Sequence, residues 1–504
     1  MDADNQAEIV DRQAAREIVM ACLHNIGSTG AEAEILSPDS SSRPPSAGAE
    51  SARTKSWVLF LMTLAYTSSF MDRTILSIIQ NPIKEELHLS DTQLGLLGGF
   101  AFAIFYSTLG IPVARLAERV DRRWLIAASL TVWSLATAAS GLARGFASLF
   151  ALRVAVGVGE AGASPPAHSL ITDFFPPEKR GTAFSIYSLG VSAGVLIGSI
   201  GGGHAAEAFG WRATFVIFGL PGILLAILIP LTIREPERGR LDAGHAAETS
   251  PPSFKAVLQQ FARKRALFHI VAGASIAAFG AYSILTFAAP FFIRTYGATL
   301  TEAGLFLGLT SGVSAGIGIF ASGVITDRLS LHDRRWAVWI PALGLILAVP
   351  GYMAGFLAPT QELAMAILLV PPALQYLNLG PTMGLMHNMV TPRMRATALL
   401  YLAVNLFGMG VGPTFTGFLS DKLAAAHFAG ADYSEQCTGG VPATSLVESL
   451  CRDAAAQGLR WALVACSLAF LWGAIHYLIA ARTLRKDLLD GGEVAAATAR
   501  LAEA

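Results

Sequence analysis

The sequence predicts an all-α membrane protein with about twelve transmembrane helices in two six-helix halves. Three observations lead to this fold class. Of the 504 residues, 53% are hydrophobic and only 14% are charged, whereas soluble domains carry charge on about a quarter of their residues. The apolar residues fall into segments long enough to cross a bilayer. Lys and Arg gather in alternate connections between those segments.

The apolar segments come in two groups of six. The first group lies near residues 57–79, 93–116, 124–142, 148–174, 182–208 and 212–233. The second group lies near residues 266–292, 301–326, 336–356, 362–390, 397–420 and 459–481. Each segment has roughly the length that crosses a bilayer's hydrocarbon core as a helix. The polar break between the groups therefore predicts an N-terminal half over 55–233 and a C-terminal half over 266–485.

The basic residues predict the orientation in the membrane. They concentrate in the connections that follow even-numbered segments, as in Arg119, Arg122, Arg123, Lys179, Arg180, Arg234, Arg238, Arg328, Arg334, Arg335, Arg393, Arg395, Arg482 and Arg485. The other connections carry few basic residues. The positive-inside rule then places both termini in the cytoplasm. The short connections favour a bacterial inner (plasma) membrane.

Polar stretches precede, separate and follow the two halves. Residues 1–54 are so rich in Ser, Pro and Ala that we predict a mobile cytoplasmic tail, and 486–504 form a second tail. Residues 234–265 are predicted to be a cytoplasmic linker whose basic surface helix lies against anionic membrane lipids. The formal net charge is zero, so the chain as a whole gives no sign of a nucleic-acid partner.

Short motifs recur at matching places in the two halves. ARLAERVDRR (114–123) follows the second segment and GVITDRLSLHDRR (323–335) follows the eighth. PPEKRGTA (176–183) follows the fourth segment and TPRMRATA (391–398) follows the tenth. The recurrence indicates an internal repeat. In membrane proteins built from repeats, the binding site lies near the midplane between the halves.

These motifs resemble the major facilitator superfamily of secondary transporters. The loop motif of that family, Gly-x-x-x-Asp-Arg-x-Gly-Arg-Arg, is matched with two extra residues by Gly323, Asp327, Arg328, Arg334 and Arg335. In the first half the motif is degraded, with Ala114, Glu118 and Asp121 at the Gly, Asp and second Gly positions. The resemblance implies a transporter rather than an enzyme.

Within the superfamily, two stretches resemble the Spinster-type lipid transporters. They are RVAVGVGEAGASPPAHSLITDFF in the fourth segment and the adjacent Asp72 and Arg73 in the first. The resemblance implies an amphipathic lipid cargo of the lysolipid or sphingoid type. We expect a monomer without a cofactor, driven by a proton gradient.

Four ionisable residues lie inside apolar segments: Asp72 and Arg73 in the first, Arg153 and Glu160 in the fourth. A charge near the bilayer centre costs about 2.5 to 3.5 kcal/mol, so such groups face a cavity or a partner. Asp72 and Arg73 diverge by about 100° on a helix, so each needs a partner elsewhere, and the fourth segment supplies one of each sign. We predict that the carboxylates carry protons and that the arginines control their release. The alternative is that these ion pairs only fix helix packing.

The second half offers no charge in the middle of the corresponding segments. It offers neutral polar residues instead, from which we predict a substrate cavity lined by Tyr282, Thr286, Gln375, Tyr376 and Asn378. An amphipathic cargo suits this asymmetry, because a polar head can lie in the charged half and its chains along the other. Ordinary hydrogen bonds between helices are the alternative for each residue.

Two further predictions concern the connections. Asp327 and Arg328, with the weaker copy Glu118 and Arg119, are predicted to form a cytoplasmic latch whose ion pairs break when that side opens. The alternative is solvated surface charge. Cys437 and Cys451 fall in the polar stretch 421–458, which the charge bias places outside, and we predict that they form a disulfide. Two unpaired thiols are the alternative there.

Enzymatic motifs find no support in the sequence. GVSAG occurs at 190–194 and 312–316 and matches the Gly-x-Ser-x-Gly form of serine hydrolases, but that form requires a turn between a strand and a helix. His and Cys show no metal-ligand spacing, and no phosphate-binding loop is present. A proton-coupled lipid transporter is therefore the leading prediction. Passive lipid facilitation, multidrug export and a non-transporting membrane sensor are the alternatives.

Overall fold

The computed structural model describes residues 51–239, 241, 264–389, 404–430, 432–438 and 444–488. The predicted N-terminal tail up to residue 50, most of the linker, the motif at 391–398 and the C-terminal tail from 489 lie outside the described residues. The described part of the chain is helical and contains no strand.

The first half contains six helices. Their bounds are Ala52–Leu87 (α1), 91–117 (α2), Arg122–Ser140 (α3), Phe146–Phe174 (α4), 177–209 (α5) and 211–232 (α6). Helices α5 and α6 are separated only by Gly210, whose φ of 80° and ψ of 162° lie outside the helical region. Because side chains rarely adopt that φ, a glycine there permits the sharp turn between two helices.

The described residues of the second half form the matching six helices. Their bounds are Arg265–Tyr296 (α7), Leu300–Ser330 (α8), Trp336–Phe356 (α9), 361–389 (α10), 404–427 (α11) and Ser445–Asp487 (α12). We call the helix ends beside the basic connections inner, and the opposite ends outer. The two GVSAG stretches lie inside α5 and α8, where no strand-turn-helix elbow exists.

Eight continuous helical stretches among the described residues are long and apolar enough to cross a membrane, and one of them, Lys179–Thr232, holds both α5 and α6. The other three helices, α1, α3 and α11, are less apolar because they carry polar residues. Helix α1 alone buries eight of them: Thr67, Ser68, Ser69, Asp72, Thr74, Ser77, Gln80 and Asn81. Polar residues that face the protein interior lower a helix's hydropathy without exposing it to water.

The halves meet through α2 against α11, α5 against α8, and α1 against α7. At the outer ends the backbones nearly touch. A Cβ on Gly95 would lie 2.2 Å from the carbonyl oxygen of Pro413, and one on Gly203 would lie 2.4 Å from that of Leu300. The four helices α2, α5, α8 and α11 each contain a π-helical turn. Such turns are rare and concentrate where helices serve a function.

Helix α12 differs from the prediction of 459–481. It begins at Ser445, where the Thr444 side chain accepts a hydrogen bond from the amide of Val447, and it continues to Asp487. The predicted polar connection 421–458 is therefore mostly helix, because α11 also continues to His427. A search for continuous apolar segments misses the last turns of α11 and the first turns of α12, because these turns are amphipathic rather than apolar.

A disulfide joins Cys437 to Cys451 in this region, the pairing predicted from the sequence. Cys451 lies in the first turns of α12, and Cys437 lies in the π-helical turn Ser434–Thr438 that precedes it. The bond fixes the connection between α11 and α12.

Thiol labelling of the denatured, unreduced protein should therefore modify only Cys22 and Cys466. Reduction should make all four cysteines reactive. The labelled positions can be read by peptide mass spectrometry. A free thiol at Cys437 or Cys451 before reduction would contradict the bond.

Candidate functional site

The break within α4 places Glu160 in the middle of the first half. Its first section ends at Glu160, and a new section starts at Ser164, followed directly by two prolines that favour the first turn of a helix. Two glycines before the break allow close packing. A Cβ on Gly157 would lie 2.6 Å from the carbonyl oxygen of Phe102, and one on Gly159 would lie 2.7 Å from the amide nitrogen of Trp133. Glu160 is therefore held against α2 and α3.

Arg73 forms an ion pair with Glu160. Its Nη2 and Nε donate to Glu160 Oε2 at 2.6 and 2.9 Å, and Ser69 Oγ donates to the same oxygen at 2.6 Å. The other carboxylate oxygen, Oε1, is buried and has no hydrogen-bond partner among the described residues. Only one of the two carboxylate oxygens of Glu160 is therefore hydrogen-bonded within the described residues.

Aromatic rings surround the Arg73 guanidinium. Its central carbon lies 4.4 Å from the ring centroid of Phe102, 4.7 Å from that of Tyr106 and 5.0 Å from that of Phe70. Cation–π contacts of this kind contribute about 0.5 to 2 kcal/mol each. These contacts stabilise the cation in addition to its ion pair with Glu160.

Asp72 and Arg153 do not pair with each other. Asp72 is fully buried and accepts one hydrogen bond, from Thr137 Oγ1 on α3 at 3.0 Å. Its Oδ1, and Nε and Nη1 of the buried Arg153, lack hydrogen-bond partners within the described residues. The prediction that α4 supplies a partner for both residues of α1 is therefore wrong for Asp72 in this structure. The side chain of Asp72 meets α3 instead.

A small cavity lies beside Glu160. Its lining includes Ser69, Trp133 and two tyrosines, Tyr66 and Tyr187, whose rings stack at 4.4 Å. One carboxylate and several aromatic rings therefore face the same space. Such a lining suits a polar group that carries both a charge and apolar surface.

A second small cavity lies in the other half between α7, α8, α9 and α10. Gln375 and Tyr376 line it, as predicted, and the hydroxyl of Tyr352 donates to Gln375 Oε1 at 2.7 Å. Most of the other lining residues are apolar: Ala281, Ile284, Leu285, Ala288, Phe306, Phe356, Leu368 and Pro372. None of the described residues that line it is charged.

The other three predicted cavity residues lie elsewhere. Thr286 is buried at the contact between the halves, where a Cβ on Gly98 would lie 3.1 Å from its methyl group. Tyr282 packs against the apolar core of the first half. Asn378 closes the 3₁₀ turn within α10 and does not line either cavity. Helical rotation, which spacing alone does not fix, accounts for these differences.

The outer ends carry a charge network that the sequence analysis missed. Asp91 accepts hydrogen bonds from Lys84 Nζ at 2.6 Å, from Arg294 Nη1 at 2.7 Å and from Ser420 Oγ at 2.6 Å. The carboxylate of Asp421 in turn accepts hydrogen bonds from the backbone amides of Asp91 and Thr92. These contacts join α1 and α2 to α7 and α11. The two halves are therefore tied together at their outer ends.

The inner ends carry charges that stay within one half. Arg122 is fully buried and pairs with Asp173 at the end of α4 and with Glu235 after α6. The sequence held a signal for Arg122, since it lies in the degraded loop motif, but not for its partners. By contrast, the predicted latch residues Glu118, Arg119, Asp327 and Arg328 are exposed. Within the described part of the chain, Arg119, Asp327 and Arg328 form no ion pair.

A family model, a solved structure and two other proteins are similar to this chain. Residues 62–413 match the model of the Major Facilitator Superfamily. A crystal structure of a bacterial homolog to the human lysosomal transporter Spinster, in an inward-facing and unoccupied conformation, is similar with a TM-score of 0.79 and 33% identity, covering 88% of this chain and all of that one. An MFS-type efflux pump of Mycolicibacterium smegmatis is 30% identical over 85% of this chain and 93% of its own length. A hexuronate transporter of Bacillus subtilis is 26% identical over 72% of this chain and 88% of its length.

Proposed function

Since the chain belongs to the Major Facilitator Superfamily and is similar to a bacterial Spinster homolog, we propose that it moves an amphipathic lipid of the lysolipid or sphingoid type by proton-coupled alternating access. Proteins of this superfamily are transporters and not enzymes. The chain is accordingly an integral membrane transporter. The lipid cargo and the coupling of its transport to protons are the parts that we propose.

The difference between the two cavities carries the cargo proposal. The cavity of the first half contains the Glu160 carboxylate beside aromatic rings, whereas the cavity of the second half is apolar apart from a few neutral groups. A charged or zwitterionic head suits the former and hydrocarbon chains suit the latter. A sugar acid, the cargo that the name of the Bacillus subtilis relative indicates, would leave the apolar cavity without a matching surface.

The unequal hydrogen bonding of the charged cluster supports the coupling proposal. Glu160 holds Arg73 through one oxygen, while Asp72 Oδ1 and the Nε and Nη1 atoms of Arg153 are buried without hydrogen-bond partners among the described residues. Buried charges that lack partners are costly, so a second arrangement in which Asp72 meets Arg153 is energetically accessible. Protonation of Glu160 would release Arg73 to bind the head of the cargo. Two pairings of one cluster provide the two states that alternating access requires.

Export of hydrophobic drugs is the second candidate function, because the chain is 30% identical to an MFS-type efflux pump. The same cavities would accept a cationic amphiphile. Competition distinguishes the two: in proteoliposomes, a lysolipid should be transported and should displace a hydrophobic cation. Transport of the cation without transport of any lysolipid or sphingoid base would favour the drug exporter.

We also propose a latch at the inner ends. Asp327 and Arg328 on α8 are exposed in this structure, in which the outer ends are closed. The proposal requires them to pair only when the inner side is shut. The Asp327→Asn variant should therefore spend more time open at the inner side, because a charge that stabilises closure is lost. Reactivity of single cysteines placed at the two mouths measures this shift.

Asp333→Asn is the matched control for that variant. Asp333 accepts hydrogen bonds from Arg335 and Arg485 of the same half, and the hydrogen bonds from Arg335 hold the pKa of Asp333 well below its usual value. Its ion pairs do not cross between halves, so its loss should leave accessibility unchanged. Equal accessibility in the wild type and Asp327→Asn would contradict the latch.

The proposal also covers the membrane in which the protein lies, its orientation, its oligomeric state and its cofactors. We propose a bacterial inner membrane with both termini in the cytoplasm, a monomer, and no cofactor other than the proton gradient. The concentration of Lys and Arg in alternate connections, which the positive-inside rule places in the cytoplasm, supports the orientation.

A further inference from the structure

We propose that His269 and His476 form a binding site for a transition-metal ion such as Zn²⁺ on the lipid-facing side of the second half. Nδ1 of His269 on α7 lies 3.0 Å from Nδ1 of His476 on α12. Both side chains are half-buried. The pair lies outside both cavities and outside the charged cluster, so the site does not depend on the proposed transport function.

The packing of α7 against α12 explains why the two imidazoles face each other. The helices cross closely at Gly273 and Gly473, where a Cβ on Gly273 would lie 3.0 Å from the carbonyl oxygen of Gly473. His269 precedes Gly273 by four residues and His476 follows Gly473 by three. In an antiparallel pair both spacings amount to about one turn in the same direction. The close contact between Gly273 and Gly473 therefore brings the rings of His269 and His476 next to each other.

The separation of the two nitrogens suits a shared metal ion. Zn–N bonds of about 2.0 to 2.1 Å at a tetrahedral angle place two ligand nitrogens about 3.3 Å apart. The observed 3.0 Å needs only a small rotation of the rings. One ring must carry its proton on Nδ1 in the metal-free pair, and that proton moves to Nε2 by exchange with water when the metal binds. No net proton is released by this step.

The surroundings determine which metals can bind. The pair offers two neutral imidazoles, which favour Zn²⁺, Cu²⁺, Ni²⁺ and Co²⁺ over Mg²⁺ and Ca²⁺. The described residues contain no cluster of three or more His, Cys, Asp or Glu side chains that could hold a metal. Water must therefore complete the coordination. His269 lies one turn from the inner end of α7, which begins at Arg265, and so near the headgroup region where water is present.

A plain hydrogen bond between two neutral histidines would produce the same separation. It makes a different prediction, because such a pair gains nothing from added metal. Zinc binding to the pair should stabilise the folded protein by linkage, and Mg²⁺ should not. It should also not block transport, since α7 and α12 belong to the same half.

Thermal unfolding of the tag-free protein in detergent, measured against free Zn²⁺, tests the proposal. The wild type should show a saturable rise of several degrees in its unfolding midpoint, with micromolar apparent affinity. His269→Ala and His476→Ala should bind roughly tenfold or more weakly, since each lacks one of two ligands. His427→Ala is the control, because His427 is exposed and its ring forms a hydrogen bond with the carbonyl of Leu423 on its own helix. An equal zinc response in the wild type and in both alanine variants would overturn the site.

A measurement on the wild type alone covers the case in which the variants do not fold. The electron paramagnetic resonance spectrum of the Cu²⁺-loaded protein reports the nitrogen ligands of the metal. Two imidazole nitrogens on one Cu²⁺ are expected. A spectrum with one or no imidazole nitrogen at saturating Cu²⁺ would overturn the proposal.

Discussion

The Glu160→Gln variant should lose flux driven by a pH gradient while it still inserts and folds. Glutamine keeps the shape of the side chain and can still accept hydrogen bonds from Ser69 and Arg73, but it cannot exchange a proton. If protonation of Glu160 couples the two states with about 1 to 3 kcal/mol, its loss reduces gradient-driven flux by roughly fivefold to 150-fold. Asp72→Asn should act in the same direction, since Asp72 is the second buried carboxylate of the cluster.

Glu362→Gln is the matched control for this prediction. Glu362 lies in the first turn of α10, is exposed, and is far in sequence from the cluster. The same chemical change there should leave flux unaltered. Flux is measured as accumulation of a fluorescent lysolipid in proteoliposomes with and without an inward pH gradient. If Glu160→Gln and Asp72→Asn both kept the wild-type acceleration, the cluster would serve helix packing and not coupling.

The Asp91→Asn variant should open the outer side. Asp91 is the carboxylate that Lys84, Arg294 and Ser420 share, and Arg294 belongs to the other half. Neutralising it leaves two partly buried cations next to each other without their common partner. Removing one member of a buried ion pair costs about 3 to 5 kcal/mol, which is enough to shift a two-state equilibrium by roughly a hundredfold or more. We expect the outer ends to separate, because separation lets water reach both cations.

Distances between spin labels on α2 and α11 at their outer ends measure this change. The Asp91→Asn variant should show a longer distance as the main population, whereas the wild type should show the short one. Glu86→Gln is the control. Glu86 lies near the same end of α1, but its partners Arg212 and Trp211 belong to the same half. A short distance in folded Asp91→Asn protein would show that this network does not hold the outer side closed.

Sequence reasoning found the charged cluster because charges inside apolar segments are costly and therefore conspicuous. Its expectation that the fourth segment supplies a partner holds for Arg73, which forms an ion pair with Glu160. It failed for Asp72 because the partner, Thr137, is neutral and lies on α3, a helix with no unusual residue in its middle. Hydroxyl groups give no signal of this kind, since membrane helices use them widely for helix contacts.

The outer network escaped prediction for the opposite reason. Lys84, Asp91 and Asp421 lie at the ends of helices, where a charge is inexpensive and therefore unremarkable in a sequence. Only the assembly of α1, α2, α7 and α11 brings them together and buries Asp91. The predicted cavity residues also depend on how the helices assemble, which the sequence does not reveal. Gln375 and Tyr376 face the cavity, but the rotation of α7 turns Tyr282 and Thr286 towards the first half.

Flux of labelled lysolipid through the wild-type protein in proteoliposomes tests the central claim most directly. The account predicts that protein-containing vesicles accumulate lysolipid faster than empty ones. It also predicts that a pH gradient drives accumulation above equilibrium, and that Glu160→Gln removes this drive. Accumulation that only reaches equilibrium, at the same rate with and without the gradient, would contradict proton coupling. No lysolipid or sphingoid flux above that of empty vesicles would contradict the lipid cargo.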